Sequence, residues 1–443
     1  MDNGTDSFIE YLFGKSAEIR PQVISRAMAS LADYIAVTEA GAHCSKDAWR
    51  EFLSRTSGRG NAPVVGYGMR ADAPTACLVN GYNAHCLELD DGQRFAMLHL
   101  GSCIITALIS AASEHSIGTA EFLAGLIMGC EAACRLAITI QPGHKKKGFH
   151  AAGTCGTVGS AVAVAFALRM EVRRMKTVLS AALGSAAGML EMQAQGSRLK
   201  PYNLGRAAMD GLAAAYMGFT ELAAPDDILG GARGFLKLFT DEYDLRKLTA
   251  PADYFELERT YVKPYAACRH CHSAIEAALS VRGKIPPDDI SGIRVKTYRL
   301  AIKGHDHTEI AGVSAAKQSI PYSVAAAMIL GYAGMQAFSE DAVRRGDILR
   351  LAAKVSVEEA PLPPSLPSDA RYATVVLEGK DGSVFSGSVE YAKGDPENPM
   401  GHDELSEKIT SLLQYAGCDG TLLASCRNLL DGKMDVAQLL SVL

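Results

Sequence analysis

Apolar positions recur with a helical period from the N-terminus to about residue 265. Ile24, Met28, Leu31 and Ile35 fall at i, i+4, i+7 and i+11, one stripe of a helix. Pro21 stands just inside the start of that helix, where a missing N–H costs nothing. Comparable patterns occupy residues 45–55, 72–90, 102–114, 119–139, 155–169, 174–191 and 205–222. Strand-like runs are nearly absent from this part, which predicts one large all-helical domain over residues 1–266.

The pattern changes near Cys268. After a helix predicted at 272–283, Ile293, Val295 and Thr297 alternate with Arg294, Lys296 and Tyr298, a half-buried strand. Tyr372–Leu377 and Val384–Tyr391 flank Asp381-Gly382, a hairpin signal because the tight turn needs positive φ. With a helix near 319–335, residues 267–399 form a smaller α+β domain. GDPENPMG (394–401) breaks the chain, and Leu405, Ile409, Leu412 and Leu413 then share a helical face. These last helices, residues 400–443, are expected to rejoin the large domain. The fold class is therefore mainly α: a helical domain made by both chain ends, with an inserted α+β domain and a cleft between them.

The 443 residues are 48% hydrophobic and 21% charged, which excludes a disordered or coiled-coil chain. Lys+Arg 44 against Asp+Glu 49 leaves no basic excess for a phosphate backbone, so nucleic acid is not an expected partner. The acidic start MDNGTDSFIEYLF lacks the basic flank of an export signal, and the apolar stretches around 103–112 and 158–168 fall short of the ~20 residues that span a bilayer. A cytoplasmic protein without a membrane segment is expected. Its 11 cysteines then read as reduced, buried small hydrophobes.

Four segments carry candidate chemistry. In NGYNAHCLELDDGQRFAMLHLGS (80–102), His85, Glu88 and Asp91 recur every third residue of a predicted helix, and His99 follows on a loop. Such a set orients a substrate or holds a divalent metal. In GHKKKGFHAAGTCGTVGS (143–160), Gly153, Gly156 and Gly159 do not make the dinucleotide fingerprint, so they read as helix-packing positions. His150 precedes a helix start, with Lys145, Lys146 and Lys147 upstream, a setting suited to a carboxylate. In EMQAQGSRLKPYNLGRAA (191–208), Arg198, Lys200, Arg206 and Tyr202 surround a turn. In KPYAACRHCHSAIEAA (263–278), Lys263, Arg269, His270 and His272 collect at the domain boundary. Cys268, Cys271 and His272 also fit C-x-x-C-H, a haem or metal reading to which His305 and His307 could be added. A cationic anion site at a helix start is the better use of these residues. SIPYSVAAA (319–327) places Tyr322 at a further helix start, either in a core or as a proton donor. No G-x-S-x-G elbow, Walker A loop or H-E-x-x-H occurs. The inventory is that of acid–base chemistry on a small polycarboxylate without a cofactor.

The blocks NGYNAHCLELDDG…H, GFHAAGTCGTVGSA, GSRLKPYNLGRAA with GGARGF, and KPYAACRHCHSAIEAAL resemble, in this order and over essentially the whole chain, the MmgE/PrpD family. That family includes 2-methylcitrate dehydratase, cis-aconitate decarboxylase and iminodisuccinate epimerase. The resemblance implies a large helical domain, an inserted α+β lid domain, homodimers and no required cofactor. It places the family's functional positions on His99, His150, Lys200, Lys263, Arg269, His270, His272 and Tyr322. Three departures fall in or directly after the first block: Glu88 stands for an aspartate, Gly92 for a threonine, and Leu100 follows His99 where proline is common. They leave room for a substrate other than methylcitrate or cis-aconitate, including an epimerase-type reaction.

The expected chemistry is a carbanion made or quenched beside a carboxylate: dehydration, decarboxylation or epimerisation. His150 or Lys200 is assigned as base, and His99 or Tyr322 as proton donor. Lys263, Arg269, His270 and His272, with Glu88 and Asp91, bind the small anionic substrate. No metal ligand is assigned. The alternatives are a metal- or haem-binding protein built on Cys268, Cys271 and His272, or a catalytically inactive relative.

Overall fold

The computed structural model describes residues 3–56, 59–367 and 370–443, without the side chains of residues 195 and 196. Helix α1 (Gly4–Ser16) is capped by Asn3, whose side chain accepts from the Thr5 and Asp6 amides. Helix α2 (Pro21–Thr56) takes the 24–35 stripe and the 45–55 pattern into one helix of 36 residues. The small residues between them blur the stripe but contain no breaker. A short antiparallel hairpin follows, β1 (Ala62–Val64) with β2 (Met69–Ala71), in a stretch expected to hold no strand.

Helices α3 (Ala73–Cys86), α4 (Gly101–Glu114), α5 (Thr119–Ile140), α6 (Gly143–Lys146), α7 (Ala151–Ala167), α8 (Val172–Gly184), α9 (Tyr202–Tyr216) and α10 (Phe235–Phe239) complete the N-terminal part. Helix α5, predicted at 119–139, is long and apolar enough to cross a bilayer, although the sequence reading named only the stretches around 103–112 and 158–168 as apolar. Its apolar window is 89% buried within the protein, and Glu131 and Arg135 pair at 2.8 Å inside the same helix. Small residues let these helices approach closely. A Cβ on Gly129 of α5 would stand 2.6 Å from the Gly159 carbonyl of α7, and one on Gly205 of α9 would stand 2.2 Å from the Leu78 carbonyl of α3. Gly156 likewise abuts Cys103 of α4. The glycines of the second block therefore serve packing, and the α3–α9 contact brings residues 80–90 beside residues 198–206.

The second part begins with α11 (Arg269–Val281), which packs on β5 and β6. The sheet has the order β4–β3–β5–β6, with β3 (Ile290–Thr297), β4 (Val355–Glu359), β5 (Ala373–Gly379) and β6 (Val384–Val389). Strand β3 runs parallel to β4, with Val295 opposite Val357, and antiparallel to β5, with Val295 opposite Val375. The β5–β6 hairpin turns at Gly382 with φ +85°, as its Asp-Gly pair predicts. Strand β4 was not anticipated. Between β3 and β4 lie α12 (Arg299–Ile302), α13 (Val313–Gln318), α14 (Ile320–Leu330) and α15 (Gly346–Ala352).

The chain then returns to the helical part. Helix α16 (His402–Ala416) lies against α2, with Lys408 Nζ 2.7 Å from Asp33 Oδ1 and 2.9 Å from the Leu89 carbonyl oxygen. Helices α17 (Gly420–Leu430) and α18 (Val436–Leu440) follow, and the Val436 amide donates to Thr119 Oγ1 at 3.1 Å. The architecture is thus a helical body closed by both chain ends, with a smaller α+β unit inserted.

Candidate active site

The first block does not stay helical. Helix α3 ends at Cys86, and residues 87–100 form a loop in which Glu88 takes a left-handed φ of +55°. Two features hold this loop. Lys317 of α13 donates to the Leu87 carbonyl at 3.0 Å, a cation placed at a helix C-terminus. Gly92 exchanges backbone hydrogen bonds with Tyr261 at 3.2 and 2.8 Å. A Cβ at Gly92 would stand 2.4 Å from the Tyr261 hydroxyl oxygen, so the ring occupies the space a threonine side chain would need. The Gly92–Tyr261 pairing carries Lys263 to Glu88.

Glu88 is the centre of the cluster. Lys200 Nζ donates to its Oε1, Lys263 Nζ to its Oε2 at 2.8 Å, and Gln318 reaches Oε1 at 3.4 Å. Burial by itself would raise the Glu88 pKa, but the two ammonium groups outweigh it and hold the carboxyl well below its usual range. Lys263 is fully buried and is shifted upward because Glu88 and Asp90 outweigh its desolvation.

Asp90 organises two histidines. Its Oδ2 accepts from His85 Nδ1 at 2.8 Å and Ser102 Oγ at 2.8 Å, and lies 3.2 Å from His99 Nδ1. His99 Nδ1 is also 2.8 Å from the Asp91 carbonyl oxygen. A carbonyl can only accept, so the His99 proton is assigned to Nδ1 and its Nε2 lone pair is left bare. The same holds for His85, whose Nε2 has no hydrogen-bond partner and lies 3.7 Å from Glu88 Oε1.

His150 has the opposite tautomer. It is the residue before α7, and Asn203 Nδ2 lies 3.2 Å from its Nδ1. The same Nδ2 faces the Met189 carbonyl oxygen at 3.4 Å, which fixes the amide orientation. Asn203 therefore donates to Nδ1, and the neutral ring carries its hydrogen on Nε2. Burial, followed by Lys200, pushes the His150 pKa well down, so the ring is neutral at neutral pH. His85, His99, Glu88 and Lys200 all act on it electrostatically. Lys200 and His99 keep side-chain exposures of 15% and 14%, so an incoming ligand meets these two first.

The structure brings His99, His150, Lys200, Lys263 and Glu88 together and leaves other candidates outside. Tyr322 is fully buried in α14; its hydroxyl donates to the Ala337 carbonyl at 2.8 Å and its ring packs on Phe338. It takes the core alternative, because the whole start of α14 is apolar and interior. Asp91 points away: its Oδ1 accepts from the Gly101 amide at 2.9 Å, capping α4, and burial raises its pKa to about 6. Arg269 pairs with Asp395 at 2.7 Å, donates to the Ala392 and Lys393 carbonyls, and stacks on Tyr261. His272 uses both ring nitrogens, one toward Arg269 at 2.8 Å and one toward the Ala267 carbonyl at 3.1 Å. These two side chains pin residues 392–395 to α11. His270 lies in a neighbouring cluster, 2.6 Å from the Tyr298 hydroxyl.

Sequence reasoning put Glu88 and Asp91 on one helical face. Because the helix stops at Cys86 and Glu88 turns left-handed, the residues that converge are Glu88 and Asp90, which share the Lys263 ammonium. Asp90 and Asn203 were missed for that reason and because an asparagine in P-Y-N-L carries no signal by itself. Among the described residues, the one group of donors close enough for a metal is His85, Asp90 and His99, within 4.8 Å of one another. It fits a cation poorly: Asp90 Oδ2 already receives hydrogen bonds, and the Lys263 ammonium stands 3.8 Å from Oδ1.

The buried neutral histidine makes a measurable contribution. Burial, opposed by Asp90, lowers the His85 pKa from 6.5 to about 4. Its contribution to folding is full above pH ~6.5 and is lost as pH falls toward ~4, because only the unfolded chain takes up the proton in that window. Between pH ~6.5 and ~5, wild type should lose about 2 kcal/mol more stability than His85→Gln, measured by urea unfolding. Parallel stability curves for the two proteins would show that His85 is not held neutral.

Comparisons with known proteins place these residues in context. The MmgE/PrpD N-terminal domain matches residues 10–248 and the MmgE/PrpD C-terminal domain matches residues 265–419. The chain is similar to the cis-aconitate decarboxylase of Aspergillus terreus, 26% identical over 429 residues, covering 89% of this chain and 86% of that protein. A cis-aconitate decarboxylase-like protein, oryM, of Aspergillus oryzae is 26% identical over 97% of this chain and 94% of its own length. Human cis-aconitate decarboxylase is 25% identical over 75% of this chain and 71% of its own length. With both domains matched in order along the greater part of its length, the chain belongs to the MmgE/PrpD family.

Proposed function

We propose that the protein is a lyase-type enzyme that removes a proton next to a carboxylate of a small di- or tricarboxylate, without a cofactor. One observation carries this reading: His99 and His150, which act on one another electrostatically, hold opposite tautomers. A bare Nε2 on His99 is a base, and an Nε2–H on His150 is an acid. This differs from the assignment expected from the sequence, in which His150 or Lys200 was the base and His99 or Tyr322 the donor.

The remaining groups fit the same chemistry. Lys200 and Lys263 put a positive charge on each carboxylate oxygen of Glu88, in a largely buried setting. A substrate carboxylate that shares them with Glu88 gains a fixed counter-charge, and the enolate that forms on proton loss gains more. A donor of this kind is typically worth about 3–4 kcal/mol in a transition state. His99 Nε2 takes the carbon-bound proton. In a dehydration His150 Nε2–H gives a proton to the departing hydroxyl; in a decarboxylation the loss of carbon dioxide itself leaves the carbanion, no C–H proton is taken first, and His150 Nε2–H protonates carbon. The relatives named as cis-aconitate decarboxylases support a lyase outcome.

Incubation with a panel of di- and tricarboxylates in D₂O, cis-aconitate included, followed by NMR, tests the proposal. The expected result is deuterium at the carbon beside a carboxylate, with loss of water or carbon dioxide from the same compound. No exchange and no turnover across the panel would refute it.

A further inference from the structure

Beside the histidine pair lies a second cluster that the proposed reaction does not use. Cys268 is the residue before α11, and its Sγ is 3.3 Å from His305 Nε2. His305 Nδ1 is 3.1 Å from the Lys303 carbonyl oxygen, which requires the hydrogen on Nδ1 and turns the Nε2 lone pair to the sulfur. The thiol therefore points its proton at Nε2, which is free to take it, and the Lys303 carbonyl would hold the resulting imidazolium in place. This is the arrangement of an activated nucleophile: sulfur, base, and an acceptor that orients the base. His270 packs against the His305 ring at 5.1 Å and is itself tied to Tyr298.

The surroundings specify what the sulfur meets. Lys200 and His305 favour its anion and Glu88 opposes it; the Cys268 charge in turn pushes the neighbouring Cys271 thiol up, which keeps that thiol neutral. Lys145 feels the Cys268 charge from α6, and Tyr298 from the end of β3. Burial would raise the thiol pKa, but His305 overrides it and draws Cys268 down to about 6. Cys268 remains partly exposed, unlike Cys271.

We propose that Cys268 and His305 form a thiolate–imidazolium pair that adds covalently to small anionic electrophiles, α,β-unsaturated carboxylates in particular. In the addition, the sulfur lone pair forms an S–C bond at the β carbon. The π pair moves to the α carbon, which takes the proton from His305 Nε2. The net change is addition of S–H across the double bond, and no oxidant or reductant is consumed. The carboxylate of the electrophile is held by Lys200 and Lys145. The inference does not rest on the lyase reading: its nucleophile and base, Cys268 and His305, take no part there, and Lys200 is the group the two readings share.

The test uses the whole protein, with the exposed Cys44 as internal reference. At pH ~6.5, iodoacetate should label Cys268 roughly tenfold or more faster than Cys44, read by peptide mass mapping over time. Iodoacetate should outpace the uncharged iodoacetamide at Cys268 and not at Cys44. Maleate should give a single adduct, at Cys268. His305→Gln should bring the two cysteines to within about threefold of each other. Should that variant fail to fold, the wild-type pH–rate profile decides: a midpoint near 6 supports the pair, and a rate at Cys268 still rising through pH ~8.5 overturns it. Labelling of Cys44 first, or no preference for the charged reagent, also overturns it.

Discussion

Replacing His150 by glutamine lowers kcat by roughly 10²–10⁴-fold and leaves KM within a few-fold, because it removes a proton donor and no substrate-holding charge. The sharper form of this expectation concerns Asn203. Its amide donates to His150 Nδ1 at 3.2 Å, and that contact alone decides which ring nitrogen carries the hydrogen. An aspartate there accepts instead of donating. His150 then turns its hydrogen to Nδ1 and presents a bare Nε2 to the substrate. Asn203→Asp, nearly isosteric, should therefore lose about 10²-fold or more in kcat while folding normally, since a wrong tautomer costs a histidine most of its catalytic role. Asn203→Ala, which removes the preference without reversing it, should lose less. Steady-state kinetics on the substrate identified by deuterium exchange ranks the three variants. Asn203→Asp within threefold of wild type would mean that the amide does not set the tautomer.

Lys263→Met carries the largest expected change in stability. Lys263 is fully buried, and its ammonium is one of two that neutralise Glu88. Methionine fills similar space but leaves Glu88 with Lys200 alone and Asp90 without its nearest cation. Breaking one side of a buried ion pair typically costs about 3–5 kcal/mol, mostly from the charge left unpaired. The urea midpoint of Lys263→Met should fall accordingly. Adding Glu88→Gln to it should recover a large part of that loss, because the orphaned charge goes with it. A single variant within about 1 kcal/mol of wild type, or a double variant worse than the single, would contradict this account.

Much of the fold was legible because its elements follow simple periods. The stripe from Ile24 to Ile35, the alternation in β3 and the Asp381-Gly382 turn all lie where they were expected. The misses have physical causes. Residues 36–45 are mostly small, so nothing in their hydrophobicity showed that α2 runs through them. Strand β4 is five residues long with mixed burial, too short for alternation to speak. The charged members of the site were legible because His99, His150, Lys200 and Lys263 stand in the four blocks that carry the family resemblance. Their roles were not. Arg269 and His272 looked like substrate ligands from composition, yet each is fully engaged by neighbours that lie more than a hundred residues away or across one helical turn. Tyr322 could be assigned either way until its hydroxyl was seen to meet the Ala337 carbonyl. Asn203 gained meaning only through the ring beside it.

Glu88, Lys200 and Lys263 come from three remote stretches of chain, and Lys317 and Gln318 add a fourth. The polypeptide consequently cannot be divided into working halves. A fragment ending before residue 263 would hold both histidines and yet keep one of the two cations that neutralise Glu88, with the end of α3 unclamped. During synthesis, the full set of contacts around Glu88 comes into being only after residue 318 has left the ribosome.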